Sequence, residues 1–124
     1  MISTEDRLGW AFYIRTSPKD KITLASQRKA LIKFANKNHF AVDEEFIDEK
    51  VLANRPSIRL RFSKMLEQIG AGKVNKIICL NKSRLVGNSY ETALLEMYLH
   101  CGKLKKISYT EKKKKKTANR ENGS

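Results

Sequence analysis

Cysteine, histidine and acidic side chains are all scarce in this 124-residue sequence, and each scarcity narrows what the chain can do. Cysteine occurs only at Cys79 and Cys101, which form no C-x-x-C pair. Cys79 lies in an apolar run and Cys101 near an expected helix end, so both read as reduced thiols in a reducing compartment. His39 and His100 are solitary, with no second ligand at metal spacing, so no metal and no other cofactor is expected. Uninterrupted apolar runs are only a few residues long, IICL for example, and the opening MISTEDRLG is polar and acidic, unlike a signal peptide. A soluble, intracellular protein without a membrane segment is expected. No internal repeat is visible.

Acidic residues number 13 against 26 Lys+Arg, a net charge of +13. From Thr110 to Ser124 there are six basic and two acidic residues, so residues 1–109 still carry +9. A basic body implies a polyanionic partner. Charge alone fits solubility and a lysine- and asparagine-rich coding sequence equally well.

What is present alternates. Trp10–Arg15 reads as a strand rich in aromatic and aliphatic residues. A polar turn with Pro18 leads to a helix over about 24–38, with Thr23 as N-cap and an apolar stripe of Leu24, Leu31, Phe34 and Ala35. Residues 40–48 read as a second strand with Val42 and Phe46 on one face. Pro56 suits the first turn of a helix whose Ile58, Phe62, Met65, Leu66 and Ile69 recur at helical spacing, ended by Gly70 or Gly72. VNKIICL, 74–80, reads as a buried parallel strand. Asn88 and Glu91 fit a capping box for a helix running to Cys101 and stopped by Gly102, before a last short strand over about 104–109. The expected class is α/β, a mostly parallel sheet flanked by helices, over residues 1–111. The low-complexity basic stretch 112–124 is expected to be disordered and outside the fold.

Parallel sheets place their sites at the carboxyl ends of strands. Arg15 and Ser17 end the first strand in YIRTS, where alternation would put both side chains on one side. Gln27 follows on the first helix, and Arg55 and Arg84 fall at a helix start and in a loop. A hydroxyl ringed by guanidinium groups suits attack on a phosphodiester, since arginine grips phosphate with two prongs and offsets the charge that grows on it. Attack by serine would leave a phosphoseryl intermediate. Alone, Ser17 would more often be a turn residue, Arg55 a solvated helix-start residue, Arg84 a loop cation and Gln27 part of a helix face.

Five fragments in order outweigh those separate readings. YIRTS, TLASQ, FIDEKVLANRPS, IICLNKSRLVGN and SYTE resemble, over about residues 10–111, the catalytic domain of the serine recombinases, the resolvase/invertase family. The resemblance implies a resolvase-like fold and DNA cleavage and rejoining. It implies Ser17 as nucleophile, Arg15, Arg55 and Arg84 as phosphate-binding arginines, and Gln27 as a further site residue. It also implies DNA as partner, with a second copy or another recombinase when active, and no metal.

Departures accompany the matches. The family's aspartate before Arg84 is Ser83, its arginine three residues later is Gly87, and its Ser-Gly after the second strand is Leu52-Ala53. By analogy with the loss of one transition-state donor, each loss at 83 or 87 is expected to lower the rate by ~10²–10³. A lysine run also begins at Lys112, where family members continue into a long dimerising helix and a DNA-binding module. The sequence therefore leaves three readings open: an impaired or partner-dependent recombinase catalytic domain, a non-catalytic DNA-binding or regulatory descendant, and a small basic module for RNA or ribosomes.

Overall fold

Strand β1 (Trp10–Arg15) is buried at all six positions, having a strand on each edge and helices over both faces. The computed structural model describes residues 4–51 and 59–111. Strand β2 (Val42–Asp48) pairs with one edge of β1 and β3 (Lys76–Cys79) with the other, and β4 (Lys106–Tyr109) lies outside β3. The order is β2-β1-β3-β4 and every pairing is parallel. Parallel neighbours cannot be joined by hairpins, so helices make the crossovers. After a one-turn α1 (Thr4–Arg7), α2 (Leu24–Lys37) joins β1 to β2, and α3 (Leu60–Gly70) lies between β2 and β3. A short α4 (Lys82–Leu85) and α5 (Ser89–Cys101) lead to β4. The α/β class expected from the sequence is what the chain forms.

Alternation along β1 feeds two cores. Trp10, Phe12 and Ile14 pack with Leu31 and Ala35 of α2, while Ala11 and Tyr13 pack with Phe46, Phe62, Met65, Ile69 and Leu95. Helix α2 therefore covers one face, and α3 and α5 the other.

Three local expectations are corrected. Val42 and Phe46 do not share a face: Val42 packs with the Trp10 cluster and Phe46 with the Tyr13 cluster. The pairing steps from Trp10↔Val42 to Ala11↔Glu44, so the extra residue Asp43 reverses the alternation, as a β-bulge does. Helix α3 begins at Leu60 rather than in the turn after Pro56, which lies outside the described residues. Its first N–H groups, on Arg61 and Phe62, are accepted at 2.9 and 3.0 Å by the Asp48 carboxylate at the end of β2. The capping box of α5 is half-formed: Asn88 Oδ1 accepts the Glu91 N–H at 2.8 Å, but Glu91 turns its carboxylate to the Gly87 N–H and to Arg59. Thr23 and Gly102 behave as expected, the first accepting the Ser26 N–H at 3.0 Å and the second closing α5 at φ 88°.

Candidate active site

With α2 on one face and α3 and α5 on the other, the connections leaving β1 and β3 diverge. A crevice is left at the carboxyl ends of those adjacent strands, the topological switch point where such sheets hold their sites. Two segments flank it: residues 16–23 after β1, and Asn81–Leu85 after β3.

The first segment is a tight turn. Pro18, with its fixed φ, suits the second position of Ser17-Pro18-Lys19-Asp20. The Asp20 N–H donates to the Ser17 carbonyl at 3.2 Å, and Asp20 Oδ2 accepts the Ser17 N–H at 2.8 Å. Thr16 anchors the turn from below: its N–H donates to the Asp48 carbonyl, and its hydroxyl oxygen and carbonyl accept the Lys50 and Val51 N–H groups. Ser17 is half-buried. Among the described residues its hydroxyl has no hydrogen-bond partner.

The second segment is the one-turn helix that carries Arg84. Asn81 Oδ1 caps it, accepting from Arg84 N at 3.1 Å and from the Ser83 hydroxyl at 2.8 Å. Arg84 then reaches across the crevice. Its Nη1 and Nη2 clamp the two Asp20 oxygens, the Nη2–Oδ1 distance being 2.9 Å, and Nη1 also donates to the Arg15 carbonyl at 3.3 Å. This pairing holds the Asp20 carboxyl down at about 2, against the opposing effect of partial burial.

Arg15 and Gln27 lie beneath. Arg15 is only 6% exposed and donates from Nη1 to the Val51 carbonyl at 2.8 Å and from Nη2 to the Ser83 carbonyl at 3.2 Å. Its guanidinium thus straps the segment after β2 and the segment after β3 to the end of β1. Burial, with Arg84 and Arg59 nearby, lowers its pKa. Gln27, 1% exposed, donates from Nε2 to the Arg15 carbonyl at 3.3 Å. Arg15 Nε and Gln27 Oε1 are buried with no partner. Four of the five residues singled out from the sequence therefore converge, and Arg55 lies outside the described residues.

Two participants escaped the sequence reading. Asp20 is one, and the signal for it was S-P-x-D, a proline-fixed turn able to fold an acid back onto its first residue. Arg59 is the other. It is fully buried, pairs with Glu91 at 2.6 Å, donates from Nη2 to the Tyr13 hydroxyl at 3.1 Å and lies 4.2 Å from the Phe62 ring centre. Its place one turn before Phe62, on the apolar face, was the available signal. Glu91 in turn accepts the Gly87 N–H at 2.7 Å, which fixes the end of the second loop.

The sequence matches the family described as "Resolvase, N terminal domain" over residues 10–121. The chain belongs to this family. Solved structures agree on the fold. The first ORF of transposon ISC1904 from Sulfolobus solfataricus P2 is 24% identical with a TM-score of 0.66, covering 87% of this chain and 71% of that one. The C-terminal catalytic domain of ISC1926 TnpA, an IS607-like serine recombinase, is 21% identical with a TM-score of 0.69, covering 86% and 69%. The N-terminal catalytic domain of TP901-1 integrase is 17% identical with a TM-score of 0.66, covering 80% and 76%. Comparison with curated proteins yields no match. The chain has the fold of the resolvase-family serine recombinase catalytic domain. Among the described residues no helix is long and apolar enough to cross a membrane.

Proposed function

We propose that this chain is a serine-recombinase catalytic domain acting on DNA, with Ser17 as nucleophile. The observation that carries this reading is the convergence of the Ser17 turn and Arg84 on one carboxylate at the sheet's switch point, above Arg15 and Gln27. The Ser17 oxygen attacks a backbone phosphorus and gives up its proton to solvent, an O–P bond forms, the P–O3′ bond breaks, and the 3′ oxygen takes a proton from solvent to leave as a hydroxyl. Energy of the broken bond is retained in the phosphoserine for rejoining. Arg84 is the phosphate-facing cation of the described site, and Arg55 the second by resemblance. Arg15 and Gln27 act from below, Arg15 by holding the segments after β2 and β3 and Gln27 by holding the Arg15 carbonyl at the end of β1. Residues 1–111 form the catalytic domain, and the basic stretch 112–124 adds sequence-independent attraction to phosphates.

A second reading keeps DNA binding without turnover. It is favoured by Ser83 and Gly87 at two family positions, and by the commitment of the Arg15 guanidinium to backbone carbonyls.

One experiment separates the two. The protein is incubated in chelator with a nicked suicide DNA duplex and run on a denaturing gel. A protein–DNA band joined through a 5′ phosphate, lost in Ser17→Ala, supports catalysis. A Ser83→Asp/Gly87→Arg variant should strengthen it. No band from either protein, even after fusion to a dimerising helix and a DNA-binding module, would leave binding alone.

A further inference from the structure

We propose that Asp20 is the positioning residue of this site, orienting both the Arg84 guanidinium and the Ser17 backbone toward a DNA phosphate. The inference rests on the DNA-directed reading above and extends it to a residue outside the set drawn from the sequence.

The geometry sets which edge of Arg84 is occupied. A guanidinium offers five N–H donors on a rigid fork. Asp20 takes one hydrogen from each terminal nitrogen, at the far edge of the fork, and the Arg15 carbonyl takes the second hydrogen of Nη1. Among the described residues, Nε–H and the second Nη2–H have no acceptor. Those two donors share the remaining side edge, and a pair of parallel N–H groups is what a phosphate accepts in two-pronged fashion. Asp20 thus grips Arg84 by one edge and leaves another without an acceptor among the described residues.

The same carboxylate also fixes the nucleophile's backbone. Oδ2 accepts the Ser17 N–H at 2.8 Å while it receives Arg84 Nη1, so one oxygen sets the distance between turn and arginine. The carboxylate stays ionised because Arg84 holds its pKa far below neutrality. It fills a gap as well. Position 83, an aspartate in the family, is here a serine whose hydroxyl is engaged with Asn81 Oδ1. Asp20 brings a carboxylate to the neighbouring guanidinium from the opposite wall of the crevice.

The alternative is that Asp20 plugs the site by occupying the cation that a phosphate needs. The two roles predict opposite effects of Asp20→Asn, which keeps the shape but removes the charge. The full chain is examined by two measurements. In the first, the Nε–Hε resonance of Arg84 is followed by NMR while a short duplex is added. The parent should give a resolved signal that shifts with DNA. In Asp20→Asn that signal should move into the envelope of solvated arginines and lose its distinct response, with partial recovery in Asp20→Glu. A resonance and response unaffected by Asp20→Asn would overturn the proposal. In the second, the covalent adduct is measured at saturating DNA. A positioning role lowers its rate by about 10²-fold with little change in DNA affinity, whereas a rise in either rate or affinity would identify a plug. Absence of adduct in every variant, also after fusion to a dimerising helix and a DNA-binding module, would refute the catalytic reading, and the NMR arm would still decide the role of Asp20.

Discussion

Tyr13 donates its hydroxyl proton to Asp48 Oδ2 at 2.7 Å, tying the middle of β1 to the carboxylate that caps α3. Arg59 donates to the same hydroxyl oxygen. Burial raises the Tyr13 pKa, Arg59 opposes that rise, and Asp48 reinforces it. The tyrosine of YIRTS therefore acts in the packing beneath the site.

Tyr13→Phe removes an acceptor from Arg59 and a donor from Asp48. The expected loss is about 1–3 kcal/mol of stability, read as a lower urea midpoint at unchanged slope. An unmoved midpoint would show that the hydroxyl contributes nothing.

Arg59 and Glu91 should be strongly coupled. Removing either charge alone leaves the other buried without its partner, a penalty of about 3–5 kcal/mol. The pair Arg59→Met and Glu91→Leu should cost much less together than the two single changes summed, as a double-mutant cycle in urea would measure. Additive losses would contradict the buried pairing.

Acid should weaken the fold through Asp20. Its folded-state pKa of about 2 lies below the usual carboxylate value near 4, so the contribution is complete above about pH 4 and is lost as pH falls toward 2. The surface pair Arg28–Glu45 acts in the same direction, since Arg28 lowers the Glu45 pKa. The share due to Asp20 is the difference between the parent and Asp20→Asn. That difference should shrink between pH 4 and pH 2 in thermal melts, and a constant gap would refute the linkage.

The two thiols should differ sharply. Cys101 is exposed, whereas Cys79 is buried and its pKa is pushed up to about 12 by desolvation. A thiol reagent at pH 8 should modify one equivalent in the folded protein and the second only on unfolding.

DNA affinity should depend steeply on salt. Lys29, Lys33 and Lys37 stand exposed on successive turns of α2, a helix without acidic residues, about 6 Å apart along its axis. If all three meet phosphates, their replacement by glutamine should lower the log–log salt slope by about 2.7. Deleting residues 112–124 should lower it further. Sequence-specific binding with a shallow salt response would contradict both.

The strand and helix order was legible because composition and period change at nearly every boundary, and because Pro18, Thr23, Asn88 and Gly102 mark ends by mechanisms that act locally. That Ser17, Arg15, Gln27 and Arg84 come together was legible because their spacing resembles a family pattern. Asp20 and Arg59 were not, since what defines them is a partner 64 residues away in one case and 32 in the other. The Asp43 bulge was hidden for a related reason: alternation is read along one strand, whereas a bulge exists only in the pairing of two. Asp48 capping α3 likewise replaces a local signal with a distant one.

The buried Arg59–Glu91 contact also constrains how this sequence can drift over evolutionary time. Exchanging one member alone passes through a chain carrying an unmatched interior charge, and about 3–5 kcal/mol is a large part of the roughly 5–15 kcal/mol that holds a domain together. Substitutions at these two positions should therefore be inherited as a pair, or wait for stability gained elsewhere. In lineages descending from this chain an exposed pair such as Lys64 and Glu67 can drift one member at a time, while the two interior charges change together or not at all.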